Sequence, residues 1–157
     1  MTEASSQSLI YLETNFFIKA VEGTAETAGP PKKLLGLLRQ RPGLACTSEL
    51  TFAETLAPPK RPDALPLNMK RRVYLDLLIW SAFIALLPIT REVLIETADL
   101  RAVARMKLAD AIHLVSAVRS GCRYVVTSDS DFKSLPAGVE RVEPDETGIE
   151  HILSALA

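Results

Sequence analysis

Cysteine, aromatic residues and any surplus of charge are all scarce in this chain of 157 residues. The two cysteines, Cys46 and Cys122, are too few for a disulfide framework and stand at no metal-ligand spacing, so they read as core thiols of a reducing cytoplasm. Aromatics make up 6% of the chain, and the formal net charge of −1 leaves no global basic field; a nucleic-acid partner would need a local patch. Long hydrophobic runs are missing too. The longest uncharged apolar run, residues 77–89, is interrupted by Pro88 and falls well short of the ~20 residues that span a bilayer. Residues 1–8, MTEASSQS, lack the apolar segment of a signal peptide and read as a flexible end. The expectation is a cytoplasmic protein with no membrane span, a single domain over 1–157 with enough chain to bury its own core.

What is present is an alternation of short apolar runs with helical patterns. Residues 9–12, LIYL, are continuously apolar, as suits a strand buried on both faces of a parallel sheet. Residues 44–47, 86–89, 124–127 and 139–142 read as further strands, with 86–89 at an edge because of Pro88. Between them the pattern predicts a helix from Phe16 to Gly23, a loop through Pro30 and Pro31, and helices over 32–40 and 49–57, the latter capped by Ser48. After an exposed connection at 60–66 it predicts a long helix over 67–85, one from Thr90 to about Arg105, one over 109–120 stopped by Gly121, and a closing helix after Asp145. That order predicts an α/β fold, a three-layer α/β/α sandwich around a central parallel sheet of four to five strands.

Acids collect at the carboxyl ends of these strands or on the helices that follow: Glu13, Glu54, Asp110, Asp129 and Asp131. Open α/β sheets place their ligands there. Taken singly, Glu13 or Glu54 reads as a helix cap; jointly with Asp110 and Asp129 they read as a metal site. Two carboxylates about 4 Å apart repel by roughly 4 kcal/mol at an effective dielectric of ~20, so a cluster binds a cation or keeps some protons. Oxygen donors with no cysteine or histidine expected nearby favour Mg²⁺ or Mn²⁺ over zinc. Glu49 competes with Glu54, but five residues at ~100° each set them about 140° apart on a helix, so both cannot face one site.

The segments YLETNFFI, TSELTFAETL and KLADAIHLVSAVRSGCRYVVTSDSDF resemble the PIN-domain ribonucleases, the VapC-like toxins of bacterial type II toxin–antitoxin modules. The resemblance covers nearly the whole chain and implies a PIN-like fold and a metal-dependent endoribonuclease that hydrolyses RNA phosphodiester bonds with Mg²⁺ or Mn²⁺. Residue by residue, it puts the family's acids on Glu13, Glu54, Asp110 and Asp129 as the catalytic set. Glu13, Asp110, Asp129 and Asp131 then become the metal ligands, with Thr14, Asn15 and Ser128, beside Thr127, orienting ligands or substrate. It also implies a cognate antitoxin and a homodimer as partners. The departure is at Glu13, where the family has Asp; the longer side chain carries the carboxylate about 1.5 Å further out. That residue keeps open a second reading, a catalytically weak PIN-fold module that binds RNA or protein.

Several residues carry a plainer expectation. Nothing in a metal-water mechanism needs an imidazole, so His113 is expected to pack or hydrogen-bond near the sheet edge. Asp131 is either an outer metal ligand or the cap of a turn over 132–134. Lys70, Arg71, Arg72, Arg101, Arg105 and Lys107 are candidates to meet an RNA backbone or else a solvated helix face. Trp80 and Phe83 are expected in the core or on a dimer face.

Overall fold

The run at 9–12 becomes β1 (Ile10–Leu12), a wholly buried strand at the centre of the sheet. The computed structural model of the chain describes residues 9–59, 61, 64–133 and 135–157. The expected flexible end at 1–8, part of the connection at 60–66 and the end of the turn at Ser134 lie outside the described residues. After β1 come α1 (Thr14–Glu22), α2 (Ala25–Gln40), β2 (Ala45–Ser48), α3 (Leu50–Thr55), α4 (Leu67–Leu75) and a π-helical turn at Asp76–Trp80. They are followed by β3 (Ile84–Leu87), α5 (Arg91–Val103), α6 (Leu108–Arg119), β4 (Tyr124–Val126), β5 (Glu140–Val142) and α7 (Glu146–Leu156).

The strands form a parallel five-stranded sheet in the order β3-β2-β1-β4-β5, with Ile10 beside Ala45 on one side and Tyr124 on the other. Side chains alternate across it. Ile10, Leu12, Tyr124 and Val126 pack with Phe16, Phe17, Leu34, Leu38, Tyr74, Leu78, Ile149 and Ile152, so α1, α2, α4 and α7 cover one face. Tyr11, Cys46 and Val125 pack with Leu114 and Ala117 of α6 on the other, and Val93 of α5 meets Ile112 and Val115 behind it. This is the expected three-layer α/β/α sandwich. The chain fills one side of β1 with β2 and β3, then crosses to β4 and β5. The crevice at the carboxyl ends of β1 and β4 is therefore the switch point, where such sheets bind ligands.

Three expected boundaries are corrected. Pro30 and Pro31 lie inside α2, which starts at Ala25 behind a Thr24–Thr27 capping box. Their fixed φ suits a helix, and Pro31 is buried in line with Ala28, Leu34 and Leu35, so packing outweighs the lost backbone donors. The α-helix expected to run to 85 ends at Leu75, passes through the π turn, and reverses at Ala82, whose φ is +57°. Strand β3 therefore begins at Ile84, two residues before the expected run, though at the expected edge. Ser48 is the last residue of β2 and accepts a 3.0 Å bond from the Leu50 amide, with α3 shorter than expected.

The two cysteines meet across the fold, Cys46 Sγ lying 3.4 Å from Cys122 Sγ in the core. Phe83 is buried in the core, whereas Trp80, expected in the core or on a dimer face, is 65% exposed, which removes the core from its two expected places. It lines an open groove of about 730 Å³ with Leu35, Arg39, Val73 and Leu77; none of the acids above line that groove.

Candidate active site

Glu13 follows β1 directly, and its extended backbone makes it the N-cap of α1. Its Oε2 accepts from the Asn15 amide at 3.2 Å and from the Thr127 hydroxyl at 3.0 Å. Burial pushes its pKa up, against the pull of His113 and of those two donors. Thr14, next in line, donates to Glu54 Oε1 at 2.8 Å from the start of α1. Glu54 projects from α3 and its Oε1 lies 2.6 Å from His113 Nε2. Burial raises the Glu54 pKa, but the hydrogen bond and charge of His113, with Thr14, more than offset it, so the carboxyl sits below its ordinary value.

The other acids come from the far half of the chain. Asp110, in the first turn of α6, is buried, and its Oδ2 has no hydrogen-bond partner among the described residues. Burial raises its pKa, and the nearby Asp129 and Asp131 raise it further. Asp129 sits on the loop after β4. Its amide donates to Thr127 Oγ1 at 3.0 Å, its Oδ1 accepts from the Asp131 amide at 2.9 Å, and its carbonyl accepts from Arg141 Nε at 3.0 Å. Asn15 ties the two halves together: its Nδ2 donates to Thr127 Oγ1 at 3.1 Å, and its Oδ1 accepts from the Ser128 amide at 3.0 Å.

The expected residues thus fall into two neighbouring groups. Asp110, Asp129 and Asp131 each offer an oxygen within 4.8 Å of the others; Glu13, Glu54 and His113 do the same with their own atoms. Glu13 is grouped with Glu54 and His113 and not with the three aspartates, which corrects the expectation of acids with no histidine nearby. Helix α6 carries Asp110 of one group and His113 of the other a turn apart, and Thr127 bonds to Glu13 and to the Asp129 amide. Thr14, Asn15 and Ser128 all hold hydrogen bonds here.

A cation fits the first group. Three aspartates converge with one buried oxygen unpartnered, and an all-oxygen donor set suits a hard divalent ion.

A sequence profile decides the family: that of the PIN domain matches residues 10–138. The chain belongs to the PIN-domain family. No curated protein matches it by sequence. Among solved structures this PIN domain is similar to a chain of a toxin–antitoxin complex from Klebsiella pneumoniae, at 24% identity and TM-score 0.61 over 88% of this chain and 99% of that one. It is also similar to a chain of VapBC2 from Rickettsia felis, at 15% identity and TM-score 0.60 over 86% and 98%. A third is VapC20 of Mycobacterium tuberculosis, a toxin that cleaves the sarcin–ricin loop, at 17% identity and TM-score 0.62 over 78% and 92%. At these identities the likeness is one of fold.

Some neighbours of the acids went unread in the sequence of the PIN domain. His113 is fully buried and hydrogen-bonded as expected, but its Nδ1 also lies 2.6 Å from the Tyr11 hydroxyl. A tyrosine inside an otherwise aliphatic strand was the available signal, since a buried hydroxyl needs a partner. Arg141 carried no signal beyond its strand. Of the expected cations, Lys70 is buried and donates to the Ala57 carbonyl at 3.1 Å, so it is no free phosphate ligand. Lys107, exposed at the start of α6, lowers the Asp110 pKa from close by.

Proposed function

We propose that this PIN domain is a metal-dependent endoribonuclease and the toxin of a toxin–antitoxin pair. The observation that carries this reading is the convergence of Asp110, Asp129 and Asp131, with Asp110 Oδ2 unpartnered, at the switch point of the sheet. Asp110, Asp129 and Asp131 would hold Mg²⁺ or Mn²⁺, with Glu13 alongside. When bound, such an ion supplies charge for a scissile phosphate and acidifies a water for in-line attack. Glu54, kept ionised by His113 and Thr14, is the group able to accept the proton of that water. Asn15 and Thr127 hold the Asp129 loop against the start of α1, and Lys107 stands beside the acids to meet a phosphate. Catalysis here is placement and charge.

The toxin role rests on the fold neighbours, which belong to toxin–antitoxin complexes. It brings with it a cognate antitoxin, a homodimer and a cytoplasmic location; no helix among the described residues is long and apolar enough to cross a membrane. One observation favours the second reading, a weakly catalytic RNA-binding or protein-interaction module. Glu13 Oε2 is taken up by Asn15 and Thr127, and its carboxylate groups with Glu54 and His113.

The test is cleavage of RNA by the purified protein with Mg²⁺ or Mn²⁺. Activity is expected to vanish in EDTA and to fall at least ~100-fold in Asp110→Asn. Cleavage indifferent to both would sink the proposal, and RNA binding without metal or cutting would favour the module.

A further inference from the structure

Glu54 is carried by a short, partly exposed element. It projects from α3, a helix of six residues, and its side chain is 33% exposed, so its backbone alone does not fix where the carboxylate points. What holds it is a chain of buried contacts reaching back into the sheet. Its Oε1 meets His113 Nε2 at 2.6 Å and the Thr14 hydroxyl at 2.8 Å, and His113 Nδ1 meets the Tyr11 hydroxyl at 2.6 Å.

The directions of these bonds follow from the groups. An ionised carboxylate only accepts, so Nε2 carries a hydrogen and donates it to Glu54. Burial holds the Tyr11 phenol well above its ordinary pKa, so it keeps its proton at neutral pH. Its oxygen and His113 Nδ1 are 2.6 Å apart, one hydrogen lying between them. With Nε2 held by Glu54 and Nδ1 by Tyr11, the orientation of the ring is fixed from both sides. Tyr11 lies on β1, paired with β2 and β4, and both Tyr11 and His113 are fully buried. Thr14 is braced in the same way: its hydroxyl is 3.1 Å from that of Thr51, which is 2.9 Å from that of Thr47, and Thr47 donates to the Leu12 carbonyl at 2.7 Å.

We infer that Tyr11 and His113 are positioning residues, a hydrogen-bonded strut from the central strand that aims the Glu54 carboxylate at the reacting water. The inference rests on the proposed nuclease reading, in which Glu54 serves the reaction. It accounts for a fully buried histidine that the metal-water chemistry does not itself require. It also gives α6 two duties a turn apart, seating Asp110 directly and Glu54 through His113.

The experiment compares wild-type protein with Tyr11→Phe, His113→Leu and His113→Gln, each checked for a cooperative thermal transition. Histidine ¹⁵N spectra at neutral pH are read alongside RNA cleavage and Mn²⁺ affinity, with His151→Gln used to assign the signals. The expected wild-type spectrum is a single His113 state with Nε2 protonated, becoming a mixture of states in Tyr11→Phe. Tyr11→Phe and His113→Leu should lower kcat by ~10- to 100-fold at little-changed KM and Mn²⁺ affinity. His113→Gln, which still offers an N–H to Glu54, should recover most of the rate lost in His113→Leu. A bare Nε2 in the wild type overturns the strut, as does histidine hyperfine coupling to bound Mn²⁺, or kcat within threefold of wild type in both Tyr11→Phe and His113→Leu. A wild-type protein with the expected protonated Nε2 but no Mn²⁺-dependent cleavage overturns the role through the nuclease reading itself, which separates that failure from a failure of the geometry.

Discussion

Asp110 is the residue at which burial and charge conflict most plainly. Its carboxylate is out of water, one oxygen lacks a partner, and Asp129 and Asp131 crowd it with like charge. Removing that charge should stabilise the cation-free protein. Asp110→Asn, whose amide can donate to the neighbouring carboxylates, is expected to gain on the order of 1 kcal/mol by denaturant unfolding in EDTA. The same protons give a pH dependence. Glu13 and Asp110 both have raised folded pKa values, so the stability they contribute is full below the ordinary carboxyl value, about 4, and is lost as pH rises through the raised values. Glu54, lowered, works the other way, adding stability above that value and losing it as pH falls through its folded pKa. Cation affinity should climb across the window in which Glu13 and Asp110 give up their protons, and Mn²⁺ titrations at successive pH values would reveal it. Asp110 and Asp129 were legible as a pair because the segment that carries both resembles the family's, whereas a lone acid after a strand reads as a helix cap. The separation of Glu13 from the aspartates was not, because it turns on which hydroxyl and amide donors lie within reach once β1 and β4 pair.

At the scale of the element, two glycines make opposite predictions. A Cβ at Gly148 would stand 1.9 Å from the Glu143 carbonyl oxygen, so the first turn of α7 cannot take one without moving. Gly148→Ala should cost about 2 kcal/mol or more, read as a lowered denaturation midpoint. Gly36, inside α2 with nothing within 4 Å of that position, should gain about 0.5–1 kcal/mol as Ala. The opposite result at either site would show that α2 or α7 is seated differently. Helix α7 lies along α2, and Lys33 pairs with Glu150 between them. Elements with strong punctuation were readable: Thr90 caps α5 through the Val93 amide, Asp145 caps α7 through that of Gly148, and Gly121 ends α6 with a φ of +70°. Two stretches were not. Pro30 and Pro31 look like a break, yet they are absorbed into a helix whose apolar stripe continues through them. Within 77–89 the chain passes from helix to strand with no glycine or proline at the turn, because Ala82 takes the left-handed conformation itself.

For the molecule as a whole, binding and stability should be linked. A cation that binds the folded site adds about 2.7 kcal/mol at 100 times its Kd, which for a chain of this size is a rise of roughly 5–10 °C in Tm. Thermal scans in Mn²⁺ against EDTA should show that rise in the wild type and little of it in Asp110→Asn; equal Tm values in the wild type would argue against a site of useful affinity. The alternation of strands and helices forecast the sandwich because a parallel sheet requires a helical crossover between strands. The order in which the strands lie was beyond such patterning, since periodicity does not specify neighbours.

That order has a consequence for the making of the protein. Strand β1 emerges from the ribosome long before β4, yet Ile10, Tyr11 and Leu12 find half of their pairing only with Tyr124, Val125 and Val126. A nascent chain halted short of β4 already holds Glu13, Glu54 and Asp110 but has no strand on which to seat Asp129. Closing the centre of the sheet is a late step, limited by slow, long-range pairing. The timing of synthesis therefore withholds Asp129 and Asp131 from Asp110 until most of the message has been read, and an abortive product that ends before β4 lacks the aspartate group.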